Sequence, residues 1–207
     1  LFDTANYFDD KAPDAYRYCK VSKSSIDLEC RQIKQRKIAR GKPICNLLTD
    51  LEDVITKQNR IDIIGVSSFS DDWPFALFLI RKVRRILPDV PIVVGGVHAS
   101  IMPEQVIRHS EVNMVCVGEG ELPIVELLAS IDSGEVDLTI KNLWIKFKNK
   151  TFKNSQRPLL QFENDFPMLD WTDYNDFHFM YPFEGRLYRR GSVFIGRGCP
   201  YSCKFCV

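Results

Sequence analysis

Apolar residues along the second quarter of the chain alternate between two rhythms. "IDIIGVSS" (Ile61 to Ser68) is a short, β-branched run ending in small polar residues, which predicts a strand buried on both faces. "PFALFLIRKVRRILP" follows, with Phe75, Leu79, Val83 and Ile86 on one stripe and Arg81, Lys82, Arg84 and Arg85 mostly off it. That pattern predicts an amphipathic helix beginning after Asp72 and ending before Pro88. The cycle then returns twice. "VPIVVGGVHAS" predicts a second buried strand ending in Gly95 and Gly96, and "PEQVIRHS" a short helix with Pro103 in its first turn. "VNMVCVGEGE" predicts a strand and turn, and "LPIVELLASI" a helix with Leu122, Val125 and Leu128 in register. Three successive βα units imply an α/β domain with a parallel sheet, right-handed crossovers and helices on its faces.

The flanks are less regular. "NLLTDLEDVITKQN" (Asn46 to Asn59) predicts an amphipathic helix leading into Ile61, and "LFDT" the end of an earlier strand, so a first strand and helix are expected upstream of Leu1. Between them, residues 10–42 are highly charged, with Lys and Arg interleaved among Asp and Glu, which reads as a solvated insertion rather than a basic patch. From Asp137 the pattern changes again. "IKNLWIKFKNKTFKN" alternates apolar and polar residues around "KNK" and predicts a β-hairpin outside the parallel sheet. The aromatic, Asp- and Pro-rich stretch after it has no period and reads as an interdomain linker, packed through Trp171, Tyr174 and Phe177. "GSVFIGRG" then begins a new strand from Ser192 to Ile195.

Composition narrows the class without choosing a function. The 207 residues are 45% hydrophobic and 27% charged, as in ordinary globular proteins, and the net charge is +1. No global field draws the chain toward nucleic acid or anionic membrane. The longest apolar run, Trp73 to Ile80, is far short of the roughly 20 residues a membrane span needs, and "LFDTANYFDD" does not have the layout of a signal peptide. A reduced, cytoplasmic setting is expected. A start without Met and a stop one residue after a cysteine suggest a piece cut at both ends.

Seven cysteines are unevenly spread. Cys19, Cys30, Cys45 and Cys116 are scattered and expected to be buried small hydrophobes. Cys199, Cys203 and Cys206 lie together in "GRGCPYSCKFCV", at C-x-x-x-C-x-x-C spacing, and read as ligands converging on one metal centre. A structural zinc site wants four closed ligands, and no partner C-x-x-C exists, with only His98, His109 and His178 available. A [4Fe–4S] cluster can be held by three cysteines with one iron open, whereas ferredoxin runs use a different spacing and a fourth cysteine. The spacing favours the cluster over zinc or unliganded thiols.

At these residues the sequence resembles the cluster loop of the radical S-adenosylmethionine (SAM) enzymes. The resemblance implies that Cys199, Cys203 and Cys206 ligate the cluster, that Phe205 packs beside cluster or adenine, and that SAM chelated at the open iron is cleaved to methionine and a 5′-deoxyadenosyl radical. Upstream, the three βα units end in "SSFSDD", "GGVHAS" and "GEGE", at the carboxyl ends of adjacent strands, where open α/β sheets bind ligands. The ordered set resembles the cobalamin-binding domain of B12-binding radical SAM proteins. That implies Ser67 and Ser68 lining a groove for the nucleotide tail of cobalamin, Gly95 and Gly96 passing close beside it, and Gly118 with Glu119 closing the far wall. Each also has a structural reading as a strand end or turn. His98 reads as a hydrogen-bonded loop histidine that could touch cofactor. Some cobalamin proteins carry D-x-H-x-x-G; Asp176 and His178 have the spacing, but Tyr181 replaces the glycine, and the match reads as coincidence.

The resemblance therefore implies a Rossmann-like (flavodoxin-like) parallel sheet with helices on both faces, followed by a hairpin linker and the first strand and loop of a truncated TIM-type barrel. The corresponding boundaries are 1–136, 137–190 and 191–207. The implied cofactors are a [4Fe–4S] cluster, S-adenosylmethionine and cobalamin. The implied parent is a methyltransferase acting on an unactivated carbon of an unspecified small-molecule or peptide substrate, reduced by a low-potential donor such as flavodoxin or ferredoxin, with this stretch alone expected to be inactive. The rival readings are a ligand-binding module without catalysis, and a radical SAM enzyme that no longer binds cobalamin.

Overall fold

The computed structural model describes residues 7–8, 42–43, 46–160, 170–172, 174, 179–183, 186–191, 201 and 203–204. The chain divides into two compact units, one of residues 59–165 and 196–207, the other of residues 1–58 and 166–195. In the second unit, β1 (Tyr7–Phe8) pairs in parallel with β2 (Lys42–Pro43), and α1 (Leu47–Thr56) buries Leu47, Leu51 and Ile55 at helical spacing. The sequence reads Gln156 to Phe183 as a linker without period. At its end β8 (Met180–Phe183) and β9 (Arg186–Arg189) form an antiparallel hairpin. Trp171 meets Tyr174 at 5.7 Å and the edge of Phe179 at 5.6 Å, so the aromatics of this stretch do cluster. Phe177 and the strand expected at Ser192 to Ile195 lie outside the described residues.

The first unit is built on a five-stranded sheet: β3 (Ile64–Ser67), β4 (Ile92–Gly95), β5 (Met114–Cys116), β6 (Leu143–Phe147) and β7 (Lys150–Lys153), in that spatial order. The first three run parallel and are linked by helices, as predicted. The expectation that the hairpin stands outside the sheet is corrected. β6 pairs antiparallel with β5, setting Met114 opposite Ile145 and Cys116 opposite Leu143, and β7 follows it. Leu143 and Ile145 alternate into a core with Val93, Met114, Cys116, Leu127 and Ile140, so the hairpin extends the sheet because its inward residues complete that core. Its turn is tight, with Lys148 and Asn149 both in the left-handed region (φ 48° and 64°), the geometry that matches strand twist.

Burial corrects three further expectations. β3 is not buried on both faces: its residues alternate half-buried and exposed, so one face is covered less than the other, and among the described residues it is an edge strand. The helix after it, α2 (Trp73–Ile86), buries Trp73, Ala76, Ile80 and Val83; of the expected stripe, Val83 is buried, Leu79 and Ile86 are half-buried, and Phe75 is exposed and stacks on Phe78. Apolar residues on several sides of α2 permit more than one stripe, and burial of the indole chose this one. The same ambiguity misled the reading of α5 (Glu121–Asp132), where Pro123 and Leu127 are buried and Leu122, Val125 and Leu128 are exposed. Two short helices, α3 (Val97–Ile101) and α4 (Pro103–Arg108), fill the crossover between β4 and β5. Val93 belongs to the core shared with Leu127, and Ile92 and Val94, on the opposite face by alternation, are also fully buried, so both faces of β4 are covered.

One arginine fastens the amino end of the sheet. Arg84 Nη1 donates to the carbonyls of Leu87, Pro88 and Val90, and Nη2 to Glu111 O at 2.8 Å and Asn113 Oδ1 at 2.6 Å. Asn113 Oδ1 in turn accepts the N–H of Ile92 at 2.9 Å. A single side chain thus joins the end of α2, the entry to β4 and the entry to β5. Arg84→Ala is expected to lower unfolding free energy by about 2–4 kcal/mol in urea titrations, with Lys recovering only part because one ammonium cannot span the same acceptors.

Candidate functional site

The carboxyl ends of β3, β4 and β5 bring together the residues singled out in sequence. Parallel register sets Ser67 beside Gly95, and the Ser68 N–H donates to Gly95 O at 3.2 Å. The chain then turns sharply at Gly96, whose φ of 90° is a left-handed value that favours glycine. A Cβ there would meet Ser68 O at 2.7 Å and Ser67 Oγ at 2.9 Å, so the first two loops approach backbone to backbone. The N–H of His98 returns the contact, donating to Ser68 O at 3.1 Å.

Ser100 links the second loop to the third. Its Oγ donates to Gly96 O at 3.0 Å and accepts the Gly118 N–H at 2.9 Å, so one hydroxyl spans both. In the sequence, the one signal for Ser100 within "GGVHAS" is its position four residues after Gly96, one helical turn along. Gly118 is also left-handed (φ 84°), and a Cβ on it would lie 3.2 Å from Asn142 Nδ2. Glu119 Oε2 accepts the N–H of Leu160 at 2.9 Å, so the carboxylate expected to close the wall is engaged by the chain beyond the hairpin.

Ser67 is exposed, whereas Ser68 is buried with its Oγ lacking a hydrogen-bond partner. His98 is buried rather than on an open loop. Its Nδ1 lies 3.2 Å from Ser70 Oγ, its ring stacks on Trp73 at 4.9 Å, and Nε2 has no partner. Burial lowers the His98 pKa, which keeps the imidazole neutral near pH 7. Cys116 behaves as the buried apolar residue expected of it: burial, and secondarily the Glu121 charge, push its thiol up to about 11. Cys19, Cys30 and Cys45 lie outside the described residues.

An exposed serine, two glycines without side chains and a set of mutually fixed turns make an edge that a ligand can approach along the backbone. The described residues fit a slender polar group such as the nucleotide tail of cobalamin: Gly95 and Gly96 remove bulk, Ser67 offers a hydroxyl, and the unsatisfied Ser68 Oγ marks polar capacity not used by the protein. Of the cysteine motif, Cys203 is described and is exposed with a free thiol; Cys199, Cys206 and Phe205 lie outside the described residues. Gly96→Ala is expected to cost at least about 2 kcal/mol in chemical denaturation, since the added methyl meets backbone rather than a side chain able to swing away.

The "B12 binding domain" family matches residues 42–128, which include all three strand-end loops. An uncharacterised methyltransferase of Pyrococcus horikoshii is 28% identical over 159 residues, covering 76% of this chain and 34% of that protein. The anaerobic magnesium-protoporphyrin IX monomethyl ester cyclase of Rubrivivax gelatinosus is 24% identical over 154 residues, covering 70% of this chain and 26% of the cyclase. Among solved structures, the radical SAM methyltransferase TsrM from Kitasatospora setae, with cobalamin and a [4Fe–4S] cluster bound, superposes with a TM-score of 0.49 and 16% identity, over 72% of this chain and 29% of TsrM. The chain thus spans about a third or less of the proteins it resembles. No helix among the described residues is long and apolar enough to cross a membrane. Residues 42–128 thus carry the match to the B12 binding domain, and residues 129–207 lie beyond it.

Proposed function

We propose that the chain supplies the cobalamin-binding part of a cobalamin-dependent radical SAM enzyme, in which Cys199, Cys203 and Cys206 hold a [4Fe–4S] cluster. The observation that carries the cobalamin half is the close backbone approach of Gly96 to Ser67 and Ser68, inside the B12-binding match. In this reading Ser67 and Ser68 take the polar groups of the nucleotide tail, Gly95 and Gly96 let it lie against the backbone, and the backbone of the Gly118–Glu119 turn bounds it. Ser100, bonded to both Gly96 and Gly118, holds the two walls at a fixed spacing.

The cluster half rests on the spacing of the three cysteines and on Cys203 being an exposed, free thiol. Cobalamin is a carrier of methyl groups, and a reduced cluster supplies the electron that cleaves SAM. Methyl transfer, which the cysteine-motif resemblance extends to an unactivated carbon, is the favoured reaction because a matched relative is named a methyltransferase. The cyclase among the relatives favours, as a second reading, a radical reaction of another type on the same cofactors.

Titrating the 207-residue chain with hydroxocobalamin should give saturable binding with a change in the corrin absorbance, and Gly96→Ala should remove it. No saturable binding by a folded wild-type chain would sink the cobalamin half. After anaerobic reconstitution, iron and sulfide should be present in equal amounts and be lost on Cys203→Ala; zinc without sulfide would refute the cluster.

A further inference from the structure

The third strand-end loop is held from behind by residues that the B12-binding match does not reach. After β7 the chain doubles back through Ser155 to Leu160, and four ties fix this stretch. Ser155 O accepts the Asn142 N–H at 2.9 Å, and the Arg157 N–H donates to Asn142 Oδ1 at 2.9 Å. The Arg157 guanidinium sits bidentate on Glu126 of α5, at 3.1 and 2.8 Å, with only 12% of its side chain exposed. The Leu160 N–H donates to Glu119 Oε2.

Asn142 is the pivot. It is buried, adopts a left-handed φ of 71°, and grips Val117 twice: its Nδ2 donates to Val117 O at 2.8 Å, and its own carbonyl accepts the Val117 N–H at 2.8 Å. The same Nδ2 is the atom closest to where a Gly118 Cβ would stand. Val117, Gly118 and Glu119 are therefore each met by a group from the Asn142 to Leu160 region. None of these groups is reactive, and none belongs to the three loops.

We propose that Ser155–Leu160 is a strap that positions the Gly118–Glu119 loop, and that Glu119 serves the site through Leu160 rather than by touching cofactor. The proposal rests on the cobalamin reading above. If a ligand selects the strapped form of the loop, strap docking and ligand binding favour each other by the same factor.

The test compares Glu119→Gln, Glu119→Ala and Arg157→Ala in the 207-residue chain, reading hydrogen exchange of the Leu160 amide and affinity for hydroxocobalamin. Glutamine keeps an oxygen able to accept the Leu160 N–H. It should retain both protection and affinity, whereas Glu119→Ala and Arg157→Ala should each lose about tenfold in both. Equal loss of affinity in Gln and Ala with Leu160 still protected would mean that the carboxylate meets the cofactor directly, and would overturn the positioning role. Unchanged Leu160 exchange in Arg157→Ala would overturn the strap. If the folded wild type binds no hydroxocobalamin, the cobalamin reading fails on its own. Exchange then still decides the strap, which stands if only the two alanine variants lose protection and falls if none does.

Discussion

Crowding of backbone against backbone at Gly96 governs the carboxyl edge of the sheet. The turn after β4 passes so near the end of β3 that no side chain fits between them, and the left-handed φ leaves glycine as the residue that adopts it without strain. Once that approach is made, the polar groups around it have determined partners. Ser68 bonds Gly95 and His98, Ser100 bonds Gly96 and Gly118, and three loops from separate strands become one hydrogen-bonded edge. Moving any one of them would break a bond in its neighbour, which is the structural content of a preorganised site.

The opposite end of the sheet is held by different means. Arg84 gathers four carbonyls and a side-chain amide oxygen there, a polar solution in place of further close packing. The arginine clamp lies at the amino end and the glycine edge at the carboxyl end, so the clamp adds stability without placing bulk at the glycine edge. Between them lies the β4 to β6 core, with Val94, Val115, Leu127 and Leu143 fully buried.

How much of this was legible in the sequence depended on whether one signal dominated locally. Strands β4 and β5 and the start of α4 were readable because β-branched runs and a Pro at a first turn have few competing interpretations. The stripes of α2 and α5 were not, because apolar residues such as Phe75, Leu122 and Val125 occupy faces left outward and match the buried ones in character. Periodicity identifies a helix more readily than its rotation when several faces are apolar. The hairpin was found, but its docking on β5 was not, since pairing with a distant strand leaves no local trace beyond the alternation of Leu143 and Ile145. Among candidate-site residues, Gly96 and Gly118 were legible because their left-handed φ favours glycine, whereas a Cβ on Gly95 would meet Cys116 at an ordinary 3.7 Å. Ser100, Asn142 and Leu160 were not, because their roles are contacts across the fold.

Two polar atoms at the edge remain unsatisfied, Ser68 Oγ and His98 Nε2, and both belong to residues about 95% buried. A buried hydroxyl without a partner costs free energy, so a fold does not hold one without an opposing gain. Here the gain is local: the Ser68 backbone bonds Gly95 and His98 where Gly96 passes, and the His98 ring stacks on Trp73. The backbone geometry that shapes the edge thereby leaves polar capacity beside it. An apolar residue of matching shape at either position would relieve that cost, so the two unpaired atoms trade stability for the geometry of the edge.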